Sequence, residues 1–167
     1  MADARGPEAV PDDVLEFGAR AATPAAAVQD KDVIILSIPF HRVPELAGLL
    51  ASAPGETVVI DTSNYYHPHL NGHIDAVDNG RVESLWIAEQ LGRPVVKAWN
   101  AALAGTQQTK GVPAGTPGRI AIPVAADSNE ARRVAMHLVD DTGFDPFDAG
   151  PLADSWRQQP GAPAYCT

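Results

Sequence analysis

The run Val33-Ile34-Ile35-Leu36-Ser37-Ile38, closed at once by Pro39, constrains this chain more than any other segment. This nearly continuous apolar stretch predicts a strand over 32–38 covered on both faces, the usual condition of a strand inside a parallel sheet. Even extended to VIILSIPF, it is far too short to cross a bilayer as a helix. The next segments set up a repeating pattern. Leu46, Leu49 and Leu50 recur at three- and four-residue spacing and predict a helix over 43–52. Gly55 then ends that helix, and TVVID at 57–61 is the next buried strand. Strand, helix and parallel strand form a crossover unit whose expected hand is right.

The alternation continues to the end. Helices are predicted over 82–91, 101–109, 128–141 and 152–158, and strands over 94–97, 119–125 and 144–148. GVPAGTPG at 111–118 reads as a loop from its composition. Ser128 is placed to cap the helix after it, and Thr23-Pro24 is a cap followed by proline at the first helical position. Before that, 11–19 fits a further helix, and Ala21 and Ala22 fit a short strand. Strands alternating with helices predict an α/β fold: a doubly wound, mainly parallel sheet with helices on both faces, as one domain over 1–167.

The totals exclude some partners. A formal charge of -9 repels a phosphate backbone, so no nucleic acid partner is expected. No membrane partner is expected either, and the first ten residues lack the apolar core of a signal peptide. Cys166 is the single cysteine, so no disulfide forms within the chain. A cytoplasmic location is the expectation from these features.

Sheets of this kind bind ligands beyond the carboxyl ends of their strands. The first strand is followed by Ile38-Pro39-Phe40-His41, which reads either as a simple strand stop or as an apolar wall for a nucleotide base or ribose. The second is followed by Thr62-Ser63-Asn64-Tyr65-Tyr66, either a capped turn or a set of groups suited to a nicotinamide amide or ribose. After the third come Lys97 and Asn100, a cation and an amide, with a solvated lysine as the plain alternative. All three segments are expected on one rim. His67, His69 and His73 have spacings that zinc sites use, but their loop is rich in Asn, Gly and Pro, and no physiological metal is expected. No pair of carboxylates stands out as catalytic. Trp156, Arg157 and Gln158 read equally as substrate contacts or as packing of the last helix.

DTSNYY at 61–66, VVKAWNA at 95–101, PAGTPGRIAIPVA at 113–125 and DAGPLADSWRQQPGAPAYCT at 148–167 resemble the NADP-dependent oxidoreductases related to the deazaflavin (coenzyme F-420)-dependent NADP reductases. The resemblance implies a Rossmann-type NADP(H)-binding domain. It implies hydride transfer between the nicotinamide and a deazaflavin, a flavin or another small acceptor. Under it, Arg5 receives the adenosine 2′-phosphate, Ile38, Pro39 and His41 line the nucleotide, and Asn64, Lys97 and Asn100 orient the nicotinamide end. In the family a strand, a glycine-rich turn and a helix come before this point. No G-x-G-x-x-G occurs in these 167 residues, so the chain is expected to lack the first β-α unit and to be truncated at both ends. An open strand edge and self-association are the expected results of such a loss. The alternative to an enzyme domain is a non-catalytic Rossmann-like remnant that serves as an interaction or assembly module.

Overall fold

The computed structural model describes residues 7–10, 15–16, 18–66 and 72–166. Arg5, His67, His69 and the greater part of the predicted 11–19 helix lie outside the described residues.

Among the described residues five strands carry the fold: β1 (Val33–Leu36), β2 (Val58–Asp61), β3 (Val96–Lys97), β4 (Ala121–Val124) and β5 (Asp145–Asp148). β1, β2 and β3 form a parallel sheet in that order, with Val33 opposite Val58 and Ile60 opposite Val96. β4 and β5 form a second parallel pair. The two join at a single antiparallel bridge, where Lys97 and Ala125 exchange both backbone hydrogen bonds at 2.9 and 3.0 Å. The mainly parallel α/β architecture expected from the alternation is therefore present, with a reversal of direction at β3–β4.

Helices line the connections: α1 (Pro24–Val28), α2 (Ala47–Leu50), α3 (Asp75–Asp78), α4 (Glu83–Leu91), α5 (Ala104–Thr109) and α6 (Asn129–Asp141). Both predicted side-chain caps form. Thr23 Oγ1 accepts from Ala26 N at 3.3 Å, and Ser128 Oγ accepts from Ala131 N at 3.2 Å. Two cores sit on opposite faces of the sheet. Ile34, Leu36, Phe40, Val59, Ile87 and Leu91 belong to one; Ile60, Val96, Ile122, Val124, Val139 and Phe144 belong to the other. Neighbouring residues of β2 thus enter different cores, as the two-residue period of a strand requires.

Four expectations need correction. The helix predicted over 43–52 is a 3-10 segment, Phe40–Leu46, followed by the short α2, because Pro44 has no N–H and breaks the α-helical ladder. The strand predicted over 32–38 ends at Leu36. The helix predicted from 101 begins at Ala104, since Trp99 takes a left-handed φ of 59° and the chain turns before it can coil. The segment 152–158 is 3-10 rather than α-helical. The short α3 has no counterpart among the predicted elements.

One close approach fixes the far end of the second pair. Gly143 has φ +88°, and a Cβ there would lie 2.7 Å from Gly111 Cα and 2.7 Å from Val112 N. Gly118 has a similar φ of +78° with open space around it. Gly143→Ala therefore combines left-handed strain, about 1–2 kcal/mol, with a backbone collision, whereas Gly118→Ala carries the strain alone. Urea melts of the two variants should show the Gly143 substitution to be the more damaging. Equal losses would mean that the backbone crossing is looser than described.

Candidate functional site

Because β1, β2 and β3 are parallel, their carboxyl ends share one rim. The polar groups of that rim are arranged around a buried ion pair. Lys97 Nζ donates to Asp61 Oδ2 at 2.7 Å, and both side chains are 0% exposed. Asp61 Oδ1 accepts from Ser63 N at 3.0 Å and from Ser63 Oγ at 2.6 Å. Lys97 Nζ also donates to Ser63 O. The turn after β2 is thus folded back onto its own last carboxylate and tied to the neighbouring strand. Taking two charges out of water costs several kcal/mol per ion, so each has to be matched by close partners, as here.

Above this pair lies a knot of amides. Asn64 Nδ2 donates to Asn100 O, and Asn100 Nδ2 donates to Asn64 Oδ1, each at 3.0 Å. Asn100 Nδ2 also donates to Gln158 O at 2.7 Å, and Gln158 Nε2 returns to Asn100 Oδ1 at 3.1 Å and to Lys97 O at 3.3 Å. Asn100 and Gln158 are buried, while Asn64 is half-buried. Trp99, in its left-handed conformation, is held by Gln107 Nε2 donating to its carbonyl at 2.9 Å. A bulky residue in that region is uncommon and needs surroundings that enforce it. At the outer margin the hydroxyls of Tyr66 and Tyr165 hydrogen-bond, and Cys166 N donates to Ala101 O at 2.8 Å.

Glu83 stands behind the rim at the first turn of α4 and is 3% exposed. Its Oε2 accepts from Tyr65 N at 3.2 Å, and its own N–H donates to Gln159 Oε1 at 3.0 Å. Burial pushes its carboxyl up to about 7; the Lys97 charge and the Tyr65 N–H oppose this rise, and the Asp61 charge adds to it.

The structure brings Asn64, Lys97 and Asn100 together, as the sequence spacing suggested. Lys97 nevertheless differs from its expected form: its ammonium points inward to Asp61 and Ser63 and offers no cation to the rim. Ile38 is half-buried and packs against the first core, while Pro39 and His41 are exposed at the end of β1. Arg5 lies outside the described residues. Gln158 is now placed as a clasp on Asn100, a role the sequence left undecided between packing and substrate contact. Asp61 and Glu83 were not foreseen. Asp61 had one signal, a carboxylate ending an apolar strand; Glu83 looked like an ordinary acid in a first helical turn. Among the described residues no cluster of three or more metal-ligating side chains occurs, and no helix is long and apolar enough to cross a membrane.

Residues 1–65 match the family described as NADP oxidoreductase coenzyme F420-dependent. The Escherichia coli (strain K12) protein YjhV is 54% identical over 55 residues, which are 33% of this chain and 40% of that protein. The chain thus matches well under two thirds of that curated relative's length. A hypothetical protein from Sinorhizobium meliloti, SMa0349, superposes with TM-score 0.83 at 27% identity, covering 99% of this chain and 80% of the other. A protein from Arthrobacter sp. FB24, described as an F420-dependent NADP reductase, gives TM-score 0.60 at 18% identity, covering 81% and 62%. A pyrroline-5-carboxylate reductase from Coxiella burnetii gives 0.53 at 14%, covering 89% and 49%. The fold is Rossmann-type.

Two outcomes test the buried charges. Lys97→Met leaves Asp61 buried without its cation and should destabilise the chain by about 3–5 kcal/mol in denaturant melts. An unchanged midpoint would show that water reaches Asp61. For Glu83 the folded carboxyl titrates near 7, against 4.5 for its ordinary value. Between those two pH values the unfolded chain is ionised at this position and the folded chain is not, so stability from this group falls as pH rises and levels off above about 7. The total is about 3 kcal/mol, at about 1.4 kcal/mol per pH unit. Glu83→Gln removes that loss while keeping an acceptor for Tyr65 N–H. Relative to the parent, it should gain stability on moving from pH 4 to pH 8. A constant difference between the two proteins across that range would mean that Glu83 does not titrate there.

Proposed function

We propose that this chain, which is related to the coenzyme F420-dependent NADP oxidoreductases, supplies the nicotinamide end of an NADP(H) site in a hydride-transfer enzyme. The observation that carries this reading is the amide knot of Asn64, Asn100 and Gln158, set at the carboxyl ends of parallel strands on the rim that the exposed Pro39 and His41 also follow. That rim is where doubly wound sheets receive nucleotides.

The residues present fit part of the cofactor. Asn64 is half-buried and uses one amide hydrogen and one lone pair on Asn100, and an amide has a second of each to offer. A carboxamide or ribose hydroxyl is matched by such a group. The exposed Pro39 ring offers an apolar surface on the same rim. When bound, the nicotinamide supplies the hydride, and the protein's part is orientation and exclusion of water. Lys97 contributes by holding the turn that carries Asn64, through Asp61 and Ser63, and not by touching a ligand. The hydride acceptor on this reading is a deazaflavin, a flavin or another small redox substrate. Arg5 remains the proposed partner of the 2′-phosphate.

The pyrophosphate is not matched in the same way, since no G-x-G-x-x-G occurs in these 167 residues. Free N–H groups at a glycine-rich helix start are the usual cradle for that anion. These residues by themselves are therefore proposed to bind NADP(H) weakly. The second reading is a Rossmann-like module that assembles with other chains and does no chemistry.

Calorimetric titration separates the two. NADPH should bind detectably, and Asn64→Leu should weaken it about tenfold, the equivalent of one hydrogen bond of about 1.4 kcal/mol. That variant's melting temperature serves as the control for folding. Absence of any heat with NADPH in the parent chain would remove the cofactor reading and leave the assembly module.

A further inference from the structure

We propose that Glu83 tunes the rim between the two redox forms of the cofactor: its carboxylate favours the cationic ring of NADP+ over the neutral ring of NADPH, and binding of NADP+ drives its proton into solvent. The inference rests on the cofactor reading and adds to it a choice of redox form. Glu83 is 3% exposed, at the first turn of α4. Its Oε2 accepts at 3.2 Å from Tyr65 N, the nitrogen of the peptide that joins Tyr65 to Asn64. The carboxyl thus lies against the backbone that carries the half-buried amide of the rim. Glu83 acts there through its charge and needs no contact with the ring.

The buried charges do not balance once Glu83 ionises. Asp61 and Lys97 are 0% exposed and cancel as a pair at 2.7 Å. One buried cation therefore serves two buried acids. With Glu83 protonated the cluster is neutral; with Glu83 ionised it holds one net negative charge out of water behind the rim. Charges on the other elements packed against α4 are engaged elsewhere. Asp78 of α3 accepts from the Tyr65 hydroxyl and pairs with His73. Arg42 of the 40–46 segment pairs with Glu45, and Asp154 pairs with Arg157 in the 152–158 segment. α2 carries no charged residue, and Gln159 meets the Glu83 N–H with a neutral amide.

A charge in surroundings of low polarity is felt further than one in water. An oxidised nicotinamide brings a positive charge to the rim and a reduced one brings none, while the rest of the cofactor is the same in both. The ionised cluster therefore binds the two forms unequally, and the neutral cluster does not separate them by charge. By linkage, a ring that favours the carboxylate also loosens its hold on the proton. Burial has already pushed this carboxyl up to about 7, so the change of state falls near neutral pH. Raising the pH through that value ionises Glu83 and strengthens NADP+ binding, and this group leaves NADPH binding unchanged.

Calorimetric titrations with NADP+ and with NADPH at pH 6, 7 and 8 test it through the ratio of the two affinities, in which the phosphates cancel. A coupling of about tenfold, within the usual range for linked sites, should move that ratio toward NADP+ by about fivefold from pH 6 to pH 8. At pH 7, titrations in buffers of different ionisation heat should show about 0.4 more protons released with NADP+ than with NADPH. That count is made on the parent chain and stands whether or not a variant folds. Glu83→Gln has no charge at any pH and keeps an acceptor for Tyr65 N–H; its ratio should stay flat, with its melting temperature as the control for folding. A flat ratio in the parent, or equal proton counts for the two forms, overturns the inference and leaves the cofactor reading in place. A Glu83→Gln variant that keeps the parent's rise also overturns it and assigns the effect to another group, such as the exposed His41 on the same rim. Absence of heat with both forms overturns the cofactor reading and this inference together.

Discussion

The rim of this sheet depends on one ion pair held out of water. Asp61 and Lys97 end neighbouring strands, and their contact links β2 to β3 at the point where ladder hydrogen bonding stops. In a medium of low polarity such a pair is intolerant of a missing partner, which explains why Ser63 contributes both its N–H and its hydroxyl to the same carboxylate. The turn carrying Asn64 and Tyr65 takes its shape from that requirement. Glu83, a second acid nearby, is buried with fewer compensating contacts, and its carboxyl holds a proton more tightly as a result.

How far the fold was legible depended on how local its causes were. β1 and β2 were readable because a run of Val and Ile needs no knowledge of its surroundings to declare itself a covered strand. Thr23 and Ser128 were readable as caps because the partner N–H lies three residues away. The segment after β1 misled, since the leucine spacing fits an α-helix while Pro44 forbids its hydrogen bonding. At the site, the right residues were gathered and one role was misassigned. A lysine at a strand end looks the same in sequence whether it faces a ligand or a buried acid 36 residues away. Gln158 was beyond reach for the same reason, because its meaning comes from Asn100, 58 residues earlier.

The family match and the site divide the rim between them. The matched residues, 1–65, include Pro39, His41 and Asn64 and stop at Tyr65. The other half of the rim, with Lys97, Asn100 and Gln158, lies beyond them. The amide pair between Asn64 and Asn100 is therefore a seam between the part of the chain with a recognised family pattern and the part related through overall fold. SMa0349, which superposes on 99% of this chain, spans both sides of that seam.

That seam also sets an order of events. Loops closed over long stretches of chain form late, because their closure entropy is met before any contact repays it. Strands β1 and β2 pair across about 25 residues, as Val33 with Val58, and form early. The closing of the rim needs Gln158 to return to Asn100, and Cys166 to Ala101, once β4, α6 and β5 have been made. On the ribosome, the strand ends emerge and wait with their amides in water while some sixty further residues are synthesised. A nascent chain of this fold therefore carries an unfinished site while β4, α6 and β5 are being made, and the emergence of Gln158 and Cys166 decides when that site is sealed.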